Sequence, residues 1–169
     1  MSSVNASPRS RSAPSSFEGR WKLSRMRANE AAASGRHELA ESHYLETLRL
    51  ARMAIGRARH DGATQADATV DGWLAIWVDS HLEYADFLAD GGEFETALSL
   101  GFEAYEQIVT ALHDTQLNAR VHGACLRRLK PLMDGLRTLM DRAGMPECHK
   151  ARVIEKAQAL ALGYWNVWT

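Results

Sequence analysis

The chain has 169 residues, of which 46% are hydrophobic, 24% charged and 8% aromatic, with 12 glycines and 4 prolines. This composition fits one compact domain and excludes a collagenous, low-complexity or wholly disordered chain. The net charge of −1 at neutral pH hides a block pattern: residues 1–60 carry 11 Lys/Arg against 5 Asp/Glu, residues 61–119 carry 12 Asp/Glu and no Lys or Arg, and residues 120–169 carry 9 Lys/Arg against 4 Asp/Glu. Either the blocks interleave in space, so that acidic helices pair with basic ones, or an acidic face is left open to a basic partner. No apolar run approaches the ~20 residues needed to cross a bilayer, since the richest stretch, Trp73 to Val78, gives way to Asp79 and His81. The N-terminal stretch lacks the apolar core of a secretory signal, and two cysteines, Cys125 and Cys148, are too few for a disulfide scaffold. These features read as a cytoplasmic protein with no membrane partner.

Residues 1–16 are rich in serine, with Pro8, Pro14, Arg9 and Arg11 and few apolar side chains. They offer too little burial to offset the entropy of ordering, so the expectation is a disordered tail ahead of a single domain over 17–169. From Glu18 the pattern is helical through Trp21, Met26, Ala28 and Ala31 to Ala33, and Ser34-Gly35 stops it. A second amphipathic run, with Leu39, Ala40, Tyr44, Leu48, Ala51 and Ile55 three and four apart, predicts a helix reaching Arg59 or His60. Asp61 to Ala68 reads as a loop. Val70, Trp73, Leu74, Trp77, Leu82, Tyr84, Ala85 and Leu88 predict a third helix ending at Gly91-Gly92, with Trp73 and Trp77 both read as core. Phe94 to Leu112 predicts a fourth, ending near His113-Asp114. The helical period resumes from Leu117 to Gly144, where Pro131 should kink or break it. Met145-Pro146-Glu147 opens a last helix through Val153, Ile154, Ala157 and Leu160. No segment alternates with period two, so the fold class is all-α with about six antiparallel helices.

Two segments repeat one another. Ala28, Gly35 and Ala40 in the first pair of helices recur as Ala85, Gly92 and Ala97 in the second, at the same intervals of seven and five. This resembles the tetratricopeptide repeat (TPR), whose hairpin has a small residue on its first helix, a turn glycine, an aromatic two positions on and an alanine five positions on. The small residues let the helices approach, the glycine takes the turn, and Phe94 fills the crossing. The likeness covers about residues 21–52 and 78–109 with the copies 57 residues apart instead of 34, and it departs from the pattern at His37, Thr47 and Gly101. It implies TPR-like hairpins closed by a C-terminal capping helix.

The chemistry-bearing residues are few. His122 and Cys125 lie one turn apart and Cys148-His149 open the last helix, giving four potential zinc ligands, but structural zinc sites bring their cysteines closer in sequence. No third orienting group accompanies Cys125 and His122 as a nucleophile and base. Asp79, Glu83, Asp86 and Asp90 form a carboxylate stripe without the Glu-x-x-His pairs of a diiron site. The basic segments lack interleaved aromatics for base stacking, which argues against nucleic acid as a partner. Tyr164, Trp165 and Trp168 at the chain end either dock back onto the bundle or form a self-association surface.

The reading reached from sequence is therefore a cytoplasmic, bacterial, non-enzymatic adaptor or chaperone with no cofactor and no metal. Its partner is a protein or peptide, one of basic character if the acidic block is a binding face. The expected contact residues, on the first helix of each hairpin, are Arg25, Asn29, Asp79, His81, Glu83 and Asp86, with Arg25, Asn29, His81 and Asp86 facing outward. The rival reading is a helical-bundle enzyme or metal-binding protein using His122, Cys125, Cys148 and His149.

Overall fold

Six helices account for the fold: α1 (Phe17–Ala33), α2 (His37–Asp61), α3 (Asp67–Asp90), α4 (Phe94–His113), α5 (Ala119–Arg142) and α6 (Glu147–Trp168). The computed structural model describes residues 16–62 and 65–168, and side chains as far as residue 159. The expectations for residues 1–15 and for the side chains of Tyr164, Trp165 and Trp168 lie outside the described residues. Among the described residues there is no strand, and no helix is long and apolar enough to cross a membrane.

Local chemistry sets the helix ends. Ser16, placed by the sequence in the tail, is the N-cap of α1: its hydroxyl accepts from the Gly19 N–H at 3.0 Å, satisfying one of the free donors of the first turn. Asn118 does the same for α5 by accepting from the Val121 N–H at 3.0 Å. Three helices end in one turn. The glycines that follow α1, α3 and α5, Gly35, Gly92 and Gly144, have φ of 68°, 85° and 66°, in the left-handed region that glycine enters without a Cβ penalty. The next residue in each case, Arg36, Glu93 and Met145, donates its N–H back to Ala31, Leu88 and Met140 at 2.9, 2.9 and 3.0 Å. This is a Schellman closure, and it makes α1–α2, α3–α4 and α5–α6 three hairpins of one design.

The third hairpin was not visible as a repeat in the sequence because only its turn is shared. The alanines that mark the first two, Ala28, Ala40, Ala85 and Ala97, are all fully buried, whereas His149, at the position equivalent to Ala40, is exposed. Pro131 lies inside α5, but it does not break the helix, which runs from Ala119 to Arg142. Its missing N–H removes one backbone bond, to the Arg127 carbonyl.

Helix α3 is central and packs on α2, α4 and α5, with α1 laid against α2 and α6 against α4 and α5. One cluster of buried side chains, including Trp21, Leu50, Trp77, Ile108, Leu112, Leu132, Leu136 and Ala157, draws on all six helices. A second, with Tyr44, Leu48, Tyr84, Leu88 and Leu139, lies nearer the first two hairpin turns. The Trp77 indole N–H donates to the Ala104 carbonyl at 3.3 Å, so this polar tip is satisfied within the core. Gly101, which departs from the TPR pattern, has a packing reason of its own: a Cβ there would come within 2.7 Å of the Leu136 Cδ2, so the missing side chain is the space Leu136 occupies. Gly135 makes the same allowance for Leu82 where α5 crosses α3.

Candidate binding cleft

The N-terminal halves of α1 and α3 lie side by side without filling the space between them. The opening has a volume of about 430 Å³ and is lined by Glu18 and Trp21 from α1 and by Thr69, Gly72, Trp73 and Asp79 from α3, among others. That size suits a side chain or small ligand. Helical spacing explains the α3 wall: residues 69, 72, 73, 76 and 79 follow one another at three and four residues, and so share a face. Gly72 has nothing within 4 Å of where a Cβ would stand, which widens the mouth.

Trp21 is 6% exposed and is fixed on two sides. Its indole N–H donates to Ser80 Oγ at 2.8 Å, and the Arg25 guanidinium sits 5.2 Å from its ring centroid. Trp73, expected in the core beside Trp77, is only partly buried and borders the cleft, whereas Trp77 is 2% exposed. The two indoles differ because α3 turns its 74, 77, 78 and 81 face toward the bundle and exposes residues 69 and 72, with Trp73 at the boundary, packed against the main cluster on one side and bordering the cleft on the other.

The expected contact residues divide sharply. Asp79 lines the cleft, and partial burial there pushes its carboxyl above the ordinary range, opposed by the charges of Arg25 and Arg128 at a distance. Of the six carboxylates on α3, the other five are engaged: Asp67 with Arg120, Asp71 with Arg127 and Arg128, Glu83 with Arg25, and Asp86 and Asp90 with Arg142. No hydrogen bond or ion pair among the described residues reaches Asp79.

Arg25 does not stand free: its guanidinium forks onto Glu83, with the Nε bond at 2.8 Å, and the Glu83 hydrogen bond holds it above its usual pKa. Asn29 accepts from the Tyr44 hydroxyl at 2.7 Å, and Asp86 accepts from Arg142 at 3.2 Å. His81, expected to face outward, is wholly buried. Its Nδ1 lies 2.7 Å from the Trp77 carbonyl, and its Nε2 has no hydrogen-bond partner, with the Glu103 carboxylate 3.9 Å away. Burial pushes the imidazole below its ordinary pKa. The outward reading failed because His81 falls on the same face as Trp77 and Leu74, four and seven residues back, which is the face turned to the core.

The rival quartet does not converge. Cys125 is buried in the main cluster, where desolvation pushes its thiol up to about 12, and Cys148 is exposed at the start of α6. His122 is also buried, with Nε2 3.0 Å from the Asp114 carbonyl, while His149 is exposed. Among the described residues no three His, Cys, Asp or Glu side chains come together as a metal site requires. Of the cleft lining, the expected contact residues include only Asp79; Glu18, Trp21, Thr69 and Trp73 are not among them, and the available signal for the α3 wall was the series 69, 72, 73, 76 and 79 at spacings of three and four.

The chain belongs to the DUF2753 family, described as a protein of unknown function, whose model matches residues 19–161 and so spans every helix from α1 into α6. No curated protein and no solved structure matches it.

Proposed function

We propose that this chain is a non-enzymatic protein-interaction module: a divergent tetratricopeptide-like array that acts as an adaptor or chaperone in the bacterial cytoplasm and binds a protein or peptide partner along α1 and α3. The observation that carries this reading is the cleft between the first helices of the first two hairpins, walled by Trp21 and Trp73 and floored by Asp79. Rigid aromatic walls with one charged group are what partner-binding sites use, because indoles supply contact area at small entropic cost.

Two further features support it. Three hairpins share a glycine-closed turn, as expected of a stacked array in which each unit buries its neighbour's apolar face. The side chains lining the cleft include no cysteine or histidine, and the buried Cys125 thiol is held protonated, so a nucleophile with its base is not what the cleft offers. A photo-crosslinking residue at exposed Thr69 on the rim should capture a discrete partner in cells, while the same residue at exposed Leu45 on α2 should not. Equal capture at both positions, or none at Thr69, refutes the module.

A further inference from the structure

We infer that the α1–α3 cleft is a receptor for one arginine side chain of a partner peptide, its guanidinium stacked on Trp73 and paired with Asp79. The inference rests on the interaction-module reading and names the chemical group that the module takes.

Three observations converge on a cation. The first is the electrostatic remainder on α3: five of its six carboxylates are matched by arginines, and Asp79 is left without a hydrogen bond or ion pair among the described residues while pointing into a cavity of about 430 Å³. A partly desolvated carboxylate gains most from an incoming opposite charge, because water screens the pair less than at an open surface. The second is the arrangement of indoles. Trp21 already carries Arg25 at 5.2 Å, so one tryptophan at this site holds a guanidinium in the folded chain itself. Trp73 presents a second, partly exposed indole across the same cavity. A cation over an indole gains about 0.5–1 kcal/mol where exposed and about 2 when desolvated. The third is that no resident cation reaches Asp79 directly: Arg25 is forked onto Glu83, Arg128 shares Asp71 with Arg127, and Lys22 is paired with Glu18 at the rim, so Arg25 and Arg128 act on Asp79 only through space. Arginine fits better than lysine because its planar, weakly hydrated head can stack and pair at the same time.

The test titrates the full chain with an end-blocked Gly-Arg-Gly tripeptide by calorimetry, and follows the indole N–H signals by NMR, with the Trp73 signal assigned by Trp73→Phe. The arginine tripeptide should bind saturably and shift the Trp73 signal. Asp79→Asn and Trp73→Leu should each weaken binding about tenfold, the equivalent of ~1.4 kcal/mol, with melting temperature measured on both. Binding should strengthen as pH rises through the titration of Asp79, since only the carboxylate pairs with the guest; the other charged groups there are Glu18, Lys22 and Arg25 on α1, Asp71 and Glu83 on α3, and Arg127 and Arg128 on α5.

Equal binding of the uncharged citrulline tripeptide, equal binding of the lysine tripeptide, or unchanged binding by folded Asp79→Asn overturns the arginine site. If tripeptide binding is absent but crosslinking from Thr69 persists, the arginine site is refuted and the module stands. If tripeptide binding persists without crosslinked partner, the module reading is the one that fails.

Discussion

Two glycine substitutions separate backbone strain from crowding as the reason the hairpins close where they do. Gly92 ends α3 with φ of 85°, and Gly56 lies inside α2 with no positive φ; neither has any atom within 4 Å of an added Cβ. Crowding is therefore equal, and absent, at both positions. At Gly92 an alanine must hold a left-handed backbone at a cost of roughly 1–2 kcal/mol, against which the reduced freedom of the unfolded chain returns about 0.4–1 kcal/mol. The net loss is about 1 kcal/mol. At Gly56 the backbone is already helical, so alanine gains about 0.5–1 kcal/mol. For a chain of this size 1 kcal/mol corresponds to about 2–4 °C in melting temperature. Gly92→Ala should therefore melt a few degrees lower and Gly56→Ala a few degrees higher, with parallel shifts in urea midpoint at unchanged m-value. Gly92→Asn should recover part of the loss, because asparagine tolerates the left-handed region. If both alanine variants move in the same direction, the turn is not held by the φ of Gly92 and the account of the hairpins is wrong.

Ala40→Leu and Ala97→Leu should each cost roughly 1–3 kcal/mol by overpacking a helix crossing where the alanine is fully buried; a neutral result at Ala97 by urea melting removes the basis of the repeat in that hairpin. His81 is held neutral by burial, so the unfolded chain takes up its proton first as pH falls below ~6.5 and stability is lost through that window toward the lower folded value. His81→Leu should flatten the fall between about pH 7 and 5, and stability curves that stay parallel for parent and variant contradict this. Asp79 has the opposite linkage: its folded pKa is raised, so ionisation costs stability as pH rises above the ordinary carboxylate value of ~3.9. Asp79→Asn should melt higher than the parent at pH 7, with the gap closing toward pH 3; a lower melting temperature at pH 7 would mean that the carboxylate is a structural partner.

Helix number and boundaries were legible because they depend on local patterns. The 3.6-residue period and the Ser34-Gly35, Gly91-Gly92 and Gly144 stops place all six elements, and the fourth, expected from Phe94 to near His113-Asp114, runs over Phe94–His113. The faces were less legible. His81 and Trp73 belong to one continuous helix, and sequence cannot say which of its faces meets α2, α4 and α5 when apolar residues cover more than half its circumference. The structure reverses the outward reading of His81, which is wholly buried, and puts Trp73 at the edge of the core, packed against the main cluster and bordering the cleft. Gly101 was counted against the repeat because its partner, Leu136, lies 35 positions away in a helix whose docking no local pattern encodes.

The charge blocks have a physical explanation in the order of the hairpins. A hairpin built from α3 and α4 carries no lysine or arginine, so it repels itself unless other helices bring cations to its outer faces. They come from both sides: Arg25, Arg52 and Arg59 from the first hairpin reach Glu83, Glu103 and Asp114, and Arg120, Arg127, Arg128 and Arg142 from α5 reach Asp67, Asp71, Asp86 and Asp90. Most of these pairs are partly exposed, and such pairs contribute at most about 1 kcal/mol each. Their larger effect is on order: an arrangement that moved α3 away from α1 and α5 would leave like charges facing one another. The pairing is also what isolates Asp79. Arg25 is tied to Glu83 on one side and Arg128 to Asp71, which Arg127 also holds, on the other, so both cations act on the carboxylate between them only through space, in a cleft walled by indoles. The interleaved reading of the blocks accounts for five carboxylates of α3, and on that helix Asp79 is the one left over.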